Sequence, residues 1–555
     1  MAQEKLTRAH EFAPEYKFII TNFEDEAIDI TLLVQSFNIY EDLFTNTTSC
    51  DLIISDAMGL VDGLPIIGDE YITLSYRSSG FKTVTESNQT VMNKDLDPDT
   101  PGTQIEFTNR VRSFRVYKIG KRVESSERQQ NYILHCVDDH NMINEMLDIN
   151  QSFVGTNCIQ SIADMWKSNF VDTSEDFRPF NKTPKLYGLG LDDPIKSKNT
   201  SSYIAPGVTP FEVLGYLKNE AQHEVSTNVS DYVFYQDLHG FHLTTITELK
   251  AREPIGSFYV QDPATEADKN KNLEDDGEAY PISMRTIVSY DIKRTFDSLH
   301  NLATGLFGNR VAAIDPLTKR FDEKGFNYTT SADQLAPMDV GKITSKESFF
   351  KNSGSTHTRY IVSELATSSV PTGVSTEFNL AEQYEKANEY LYPVGGGDKE
   401  DGTIKNSDAN ERLSNIKSGD PKVANPRIKH ELLNRRISGK AILDNLMISF
   451  VVPGNSDITV GQTIYVYLPQ NLGDPKNSKY QVLFGTGDPG KQQHVPKFLI
   501  TSLRQTYRQG QTSYNTVITA IKDSYGDTIE VVREKALGTK ETKVKNTTAS
   551  FMAGR

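Results

Sequence analysis

Cysteine is scarce. Only Cys50, Cys136 and Cys158 occur in 555 residues. An odd number cannot all be paired, and no CxxC spacing offers half of a zinc site, so reduced, buried thiols are expected. Tryptophan is scarcer, with 1 residue against 25 Tyr and 27 Phe, which leaves the aromatic content to side chains that favour strands. No apolar run approaches the ~18 residues that cross a bilayer, which speaks against membrane insertion. The stretch Met1 to Arg8 lacks the apolar core of a signal peptide. Without an export signal the sequons at Asn46 and Asn327 read as chance, and a chain folded in a cytoplasm is expected. Basic residues are outnumbered, 59 Lys and Arg against 74 Asp and Glu, for a net charge of −15. That balance excludes a protein that grips nucleic acid through its whole surface, because phosphate binding needs clustered cations. It suits a surface past which a polyanion slides without sticking.

Catalytic patterns are missing as well. There is no HExxH and no GxSxG. The glycine clusters Gly188 to Gly190 and Gly395 to Gly397 lack the Lys-Ser/Thr of a phosphate loop and read as turns. His135, Cys136 and His140 lie close in sequence. On a strand, however, His135 and Cys136 point to opposite faces, and no second pair completes a tetrahedral set. His239 and His242 flank a turn in the same way. No enzyme, metal or cofactor is expected.

What the sequence does contain is strand periodicity. Leu446, Ile448, Phe450 and Val452 alternate with other residues, and Pro453 to Asn455 break the run. Ile464, Val466 and Leu468 resume it, with Tyr465 and Tyr467 on the other face. Phe498 to Tyr507 and Tyr514 to Lys522 follow, joined by the polar turn Arg508 to Gln511. The first part of the chain holds a similar series. Ile28, Ile30, Leu32 and Val34 alternate, then Cys50, Leu52 and Ile54, then Glu70 to Tyr76, Phe107 to Ile119 and Asn131 to Val137. The turn and strand Ile67 to Leu74 match Val460 to Tyr467, glycine for glycine (Gly68 and Gly461). The closing strand Tyr132 to Asp138 matches Tyr514 to Asp523. A duplicated antiparallel barrel follows from this pairing.

Between the two series the period changes. Asp139 to Ile149 and Asn157 to Phe170 have helical spacing, with Ile159, Ile162, Ala163 and Trp166 on one face. Thr209 to Glu212 form a capping box with Pro210 at the first helical position. Val213, Leu214, Leu217 and Ala221 continue that helix. Tyr232 to Leu243 read as a hairpin turning at Gly240. Phe296, Leu299, Leu302 and Ala303 mark a further helix that ends at Gly305, and Arg310 to Pro316 a strand. Residues 82–103, 261–278 and 393–425 have no periodicity and read as loop excursions, and Pro426 to Arg436 as a short helix. The expected fold is mainly β with α+β insertions: two tube-like antiparallel β-barrel domains plus smaller α/β domains. The expected boundaries are an arm at 1–14, a first barrel at 15–138, an α+β middle domain at 139–280, a second α+β region with a flexible excursion at 281–425, a second barrel at 426–533 and a tail at 534–555.

Several stretches, in order from about residue 20 to 525, resemble one family. They include Ile39 to Phe44 with Cys50 to Leu60 and Leu64 to Glu70, and Thr209 to Leu214 with Phe234 to Phe241. Asn301 to Lys319 and Pro453 to Gly461 complete the set. Together they are similar to the baseplate central hub protein of T-even-type, contractile-tailed bacteriophages, which is related to the N-terminal part of type VI secretion spike proteins. The resemblance implies a homotrimer whose paired tail-tube-like barrels make a pseudo-sixfold ring. That ring would join a hexameric tail tube, or tube-initiator protein, to a trimeric central spike, amid other baseplate proteins. Phage DNA would pass through its channel without specific binding. The implied location is the virion tail baseplate, assembled in the host cytoplasm. No short-period Gly/Val repeat follows residue 525, so a separate spike partner is implied. The alternatives are a virion-associated cell-wall hydrolase, which would need an acidic dyad or a zinc triad, and a carbohydrate-binding receptor protein presenting exposed aromatics. For subunit contacts the faces expected to lie away from the core supply Leu33 and Phe37 in the first barrel, and Tyr465 and Tyr467 in the last.

Overall fold

The computed structural model describes the chain between residues 15 and 524 apart from internal gaps, the longest being 172–185, 188–199, 261–285, 363–425 and 469–496. The alternating residues of the first part form β1 (Glu15–Thr21), β2 (Ala27–Asp29), β3 (Val34–Asp42), β4 (Ser49–Asp56), β5 (Tyr71–Val84), β6 (Thr90–Met92), β7 (Gln104–Ser126) and β8 (Gln129–Val137). Cys50, Leu52 and Ile54 are buried, as a period of two with one face inward requires. The stretch expected to be a loop from residue 82 is in part strand. Lys82 to Val84 end β5 and pair with Met92 to Thr90 of β6, three residue pairs that are too few to show alternation. The first run also breaks differently from the sequence pattern. A turn at Thr31 to Leu33 resets the phase, so Leu32 is exposed while Ile30, Leu33 and Val34 are buried.

The middle of the chain forms α1 (Asp139–Met146), β9 (Ile149–Asn157), α2 (Cys158–Trp166), β10 (Leu186–Tyr187), β11 (Thr200–Val208), α3 (Pro210–Glu220), β12 (Tyr232–Gln236), β13 (Phe241–Thr245) and α4 (Ile246–Ala251). Asn157 starts α2 by accepting from the amides of Ile159 and Gln160 at 3.1 and 3.3 Å. The expected face of Ile159, Ile162 and Trp166 is buried. At α3, Pro210 takes the first position and the Glu212 carboxylate reaches back to the Thr209 amide at 3.2 Å. Trp166, Phe170, Phe211, Phe234 and Phe241 pack ring to ring beneath these helices, with Trp166 and Phe170 centroids 4.5 Å apart. The hairpin β12–β13 turns at Gly240, whose φ of 143° suits glycine.

Next come β14 (Ser257–Val260), β15 (Thr286–Ile287), β16 (Ser289–Arg294), α5 (Ser298–Thr304), β17 (Gly308–Asp315), β18 (Arg320–Asn327), β19 (Thr358–Val362) and α6 (Pro426–Leu443). Helix α5 ends at Gly305 in the left-handed region, φ 84°, as expected. Its apolar face is corrected: Leu299 is 81% exposed and Asn301 is buried. Seven residues give only two turns, and the Asp297 cap fixes their rotation by bonding the His300 amide. Helix α6 is longer than expected because Asn434 and Ser438, polar in sequence, are its inward anchors. Asn309 donates to the Asn434 carbonyl at 3.1 Å and to the Ser438 hydroxyl at 3.0 Å.

The closing strands are β20 (Leu446–Pro453), β21 (Thr463–Tyr467), β22 (Lys497–Arg508) and β23 (Ser513–Lys522). They join the first series in one 15-stranded sheet. In the first part the hydrogen-bonded order is β1-β5-β7-β8-β4-β3. In the second it is β14-β21-β22-β23-β20-β16. The two orders are the same, strand for strand. Every step is antiparallel in both series except β14 with β21, which is parallel. Residues 286–294 pair with β14 on one side and β20 on the other, which closes the second series into a circuit. Strands β14 to β16 therefore come from stretches whose sequence read as α+β insertions. At four, two and six residues they are too short for alternation to mark them.

The match extends to single bonds. The Glu70 carboxylate accepts from the Ile67 amide at 2.8 Å, and the Glu70 carbonyl from the Val116 amide at 2.9 Å. The Gln462 side chain likewise accepts from the Thr459 amide three residues back at 3.0 Å, and its carbonyl from the Ile500 amide at 2.9 Å. These bonds align Glu70 with Gln462. The glycine-for-glycine alignment of the sequence is therefore off by one residue: it sets buried Ile72 against half-buried Tyr465, whereas the bonded alignment sets Ile72 with Ile464 and Leu74 with Val466, all buried. Beyond this point β7 and β22 carry an irregularity at the same step, Val116/Lys118 and Ile500/Ser502.

Candidate assembly site

The two circuits meet along one joint. Strand β22 pairs with β21 only through Lys497 to Leu499, and then, past Thr501, with β3 of the first circuit from Ser502↔Asp42 to Arg508↔Ser36. Its other edge pairs with β23 along most of its length. At the centre of the joint the Asn38 side-chain oxygen accepts from Arg504 Nε and Nη2 at 3.0 and 2.8 Å, and from the Thr506 hydroxyl at 3.0 Å. The Arg504 guanidinium lies 5.7 Å from the Tyr40 ring centroid. Below it Phe37 stacks on Tyr507, centroids 5.6 Å apart, and the Tyr16 hydroxyl donates to that of Tyr507. Burial and the Tyr507 contact push the Tyr16 phenol above its ordinary range. Tyr507 and Tyr514 belong to the core of the first circuit, although both come from strands of the second.

A buried ion pair sits at the same place. Arg112 of β7 donates to Glu41 of β3, and both side chains are almost wholly enclosed. Burial opposes the Arg112 charge, but Glu41 and Tyr76 favour it more strongly, so its pKa moves up. Glu41 also receives the backbone of Val460, just ahead of β21. A second set of bonds ties the middle of the chain to the first circuit. Gln236 accepts from the Thr48 amide at 2.9 Å and donates to Asp138 at 2.8 Å, and Asp138 also holds the His140 ring. Burial raises the Asp138 pKa, yet the His140 charge and the bonds from His140 and Gln236 outweigh it and leave it below the usual carboxylate range. A third tie is Lys250 of α4 with Asp523, 2.9 Å apart and buried.

The sequence candidates fall in different places. Leu33 and Phe37 are not on an outward face: both lie in the core of the first circuit. The turn at Thr31 to Leu33 swings Leu33 inward, and Phe37 faces Tyr507, so its interface is one within the chain. Tyr465 is half-buried on β21, a strand flanked on both edges by β14 and β22. Tyr467 ends that strand opposite Tyr259, and its side chain lies outside the described residues. His135 turns to Asp51 at 2.7 Å while Cys136 faces the core. His242 turns to Asp237 at 2.9 Å. Among the described residues no group of three His, Cys, Asp or Glu side chains could hold a metal. The excursions 261–278 and 393–425 lie outside the described residues. Sequence reasoning passed over the second half of β7 and all of β16. Their signal was apolar residues in polar strands, Val123 beyond the expected strand end at Ile119 and Tyr290 in β16, both of which are exposed.

These features define a mainly β protein with one strand circuit used twice. No known family model matches the chain, and no curated protein sequence matches it. Solved structures do match. One is the tail protein from Neisseria meningitidis MC58, at 9% identity and a TM-score of 0.42 over 92% of this chain and 98% of that one. Another is the 43 kDa tail protein of prophage MuSo2 from Shewanella oneidensis, at 9% identity and 0.40 over 92% and 99%. A third is the E. coli c3393 protein, described as a component of the type VI secretion system with structural similarity to T4 bacteriophage tail proteins gp27 and gp5. It matches at 8% identity and 0.32 over 89% and 74%. Scores this low carry no argument about function, which has to come from the strand order of the chain itself.

Proposed function

We propose that this chain is the structural hub of a contractile phage tail baseplate, without catalysis. Three copies form a ring in which each contributes two like circuits, so that a threefold object presents six similar units. One face of the ring receives the hexameric tail tube or its initiator, the other a trimeric central spike, and phage DNA passes through the opening. The observation that carries this reading is the repeated strand order β1-β5-β7-β8-β4-β3 and β14-β21-β22-β23-β20-β16. A chain that needed only one such circuit would have no use for a second joined to it edge to edge. The acidic balance of the sequence, net −15, fits a lining that does not trap DNA phosphates.

The test is the mass of the full chain in solution, alone and with a spike protein, followed by an image reconstruction. Three copies around an open axis are expected. A stable monomer at every concentration and with every partner refutes the reading, and clearing of peptidoglycan by the isolated chain would replace it with a hydrolase.

A further inference from the structure

The joint inside the chain has a counterpart that no strand among the described residues fills. Strand β22 is covered on one edge first by β21 and then, beyond its bulge, by β3. Strand β7 holds the same place in the first circuit. It pairs with β5 up to Arg115, and its next amide, that of Val116, bonds the Glu70 carbonyl. From Tyr117 to Ser126 its other edge pairs with β8. No strand among the described residues lies where β3 lies on β22. Strand β16 is the counterpart of β3: Phe37 stands opposite Leu52 as Tyr290 stands opposite Phe450. The far edge of β3 is filled by β22, whereas the far edge of β16 has no partner strand among the described residues.

Burial follows the same division. Phe37, Ile39, Leu503 and Tyr507, which face each other across the filled joint, are buried. Tyr117, Val123 and Tyr290 are 52%, 60% and 40% exposed. Open edges carrying apolar side chains template further strands and are normally covered.

We propose that the open half of β7 receives the β16 edge of a second copy of this chain, repeating between copies the joint that β22 and β3 make within one. The two edges are different surfaces, so the contact is head-to-tail, the kind that closes into a ring when the rotation allows. Asp291 takes the place of Asn38, the acceptor at the centre of the filled joint. It comes to the bulge where Lys121 and Arg122 are exposed, a charged version of the Arg504–Asn38 contact. This inference rests on the ring proposed above and says which surfaces close it.

The test uses two full-length variants, Val123→Cys and Tyr290→Cys, each altered at an exposed position. The native thiols Cys50, Cys136 and Cys158 are buried and give little background. Under mild oxidation a mixture of the two variants should give a species of two linked chains, and neither variant alone should do so. Val123→Cys mixed with Leu299→Cys, exposed elsewhere, is the control. Asp291→Lys should weaken association about tenfold, since one attractive contact becomes repulsive. Association by light scattering without the specific cross-link overturns this inference and leaves the ring reading standing. The cross-link in open chains of no fixed size supports the inference and overturns the three-copy ring. No association at any concentration overturns both.

Discussion

Replacing Arg112 by Met strips the partner from Glu41 in a site where neither side chain reaches water. Their relative side-chain exposures are 7% and 0%. Removing one member of such a pair costs about 3–5 kcal/mol, because the remaining charge is left buried without compensation. Replacing both by apolar residues of similar size costs far less and can be neutral, since the desolvation of two ions disappears along with their attraction. The cycle therefore runs over Arg112→Met, Glu41→Met and the double variant. Each is unfolded in urea and followed by near-ultraviolet circular dichroism, which reports the tyrosines packed around the joint. Both single variants should lose several kcal/mol, and the double variant should recover most of it, a coupling of at least ~2 kcal/mol. If Arg112→Met costs less than ~1 kcal/mol, or the double variant loses the sum of the singles, the pair is not enclosed and the compact joint described above is wrong.

The Asp138 pKa is held below that of an unfolded aspartate, as is that of Asp237 beside His242. Their contribution is therefore full above pH ~4 and is lost as pH falls through the lower folded values. Thermal melts from pH 6 to pH 2 should steepen below pH 4, and Asp138→Asn should flatten that slope; an unchanged slope would refute the assignment. Gly461→Ala puts a side chain at φ 78° and against the Tyr235 ring. It should cost ~1–3 kcal/mol, read by the urea midpoint, whereas Gly215→Ala, with open space around it, should cost nothing. Burial pushes the Cys50 and Cys136 thiols above their ordinary range, so a thiol reagent should label the native chain only as fast as it opens.

The fold class was legible because one buried face per strand writes a period of two into the sequence, as Cys50, Leu52 and Ile54 and Leu446 to Val452 do. The helix starts were legible because Asn157 and Thr209 to Glu212 satisfy amides in a way only a helix terminus needs. The duplication was visible at the turn before β5 and β21, although its register rested on two glycines and slipped by one. What escaped was set by contacts remote in sequence. Leu33 and Phe37 look like surface residues until the turn at Thr31 and the arrival of Tyr507, some 470 positions later, turn them inward. Strands β14 to β16 contribute Phe258 and Ile287 to the core of the second circuit, but runs of two to six residues are too short for a period to show. The edges of β7 and β16 that no strand among the described residues covers stand out only beside the filled joint of β22 with β3.

Strand β22 also dictates an order of events during synthesis. The core of the first circuit contains Tyr507 and Tyr514, and the free edge of β3 is covered by residues 502–508. A ribosome that has made only the first circuit has therefore released a sheet with one side unfinished. That side must wait for hundreds of residues to be translated before its last ladder can form. Until then the exposed β3 edge is vulnerable to proteases and to other nascent chains. A truncated product cannot finish its own first circuit, so only chains read through to β23 complete the sheet that both circuits share.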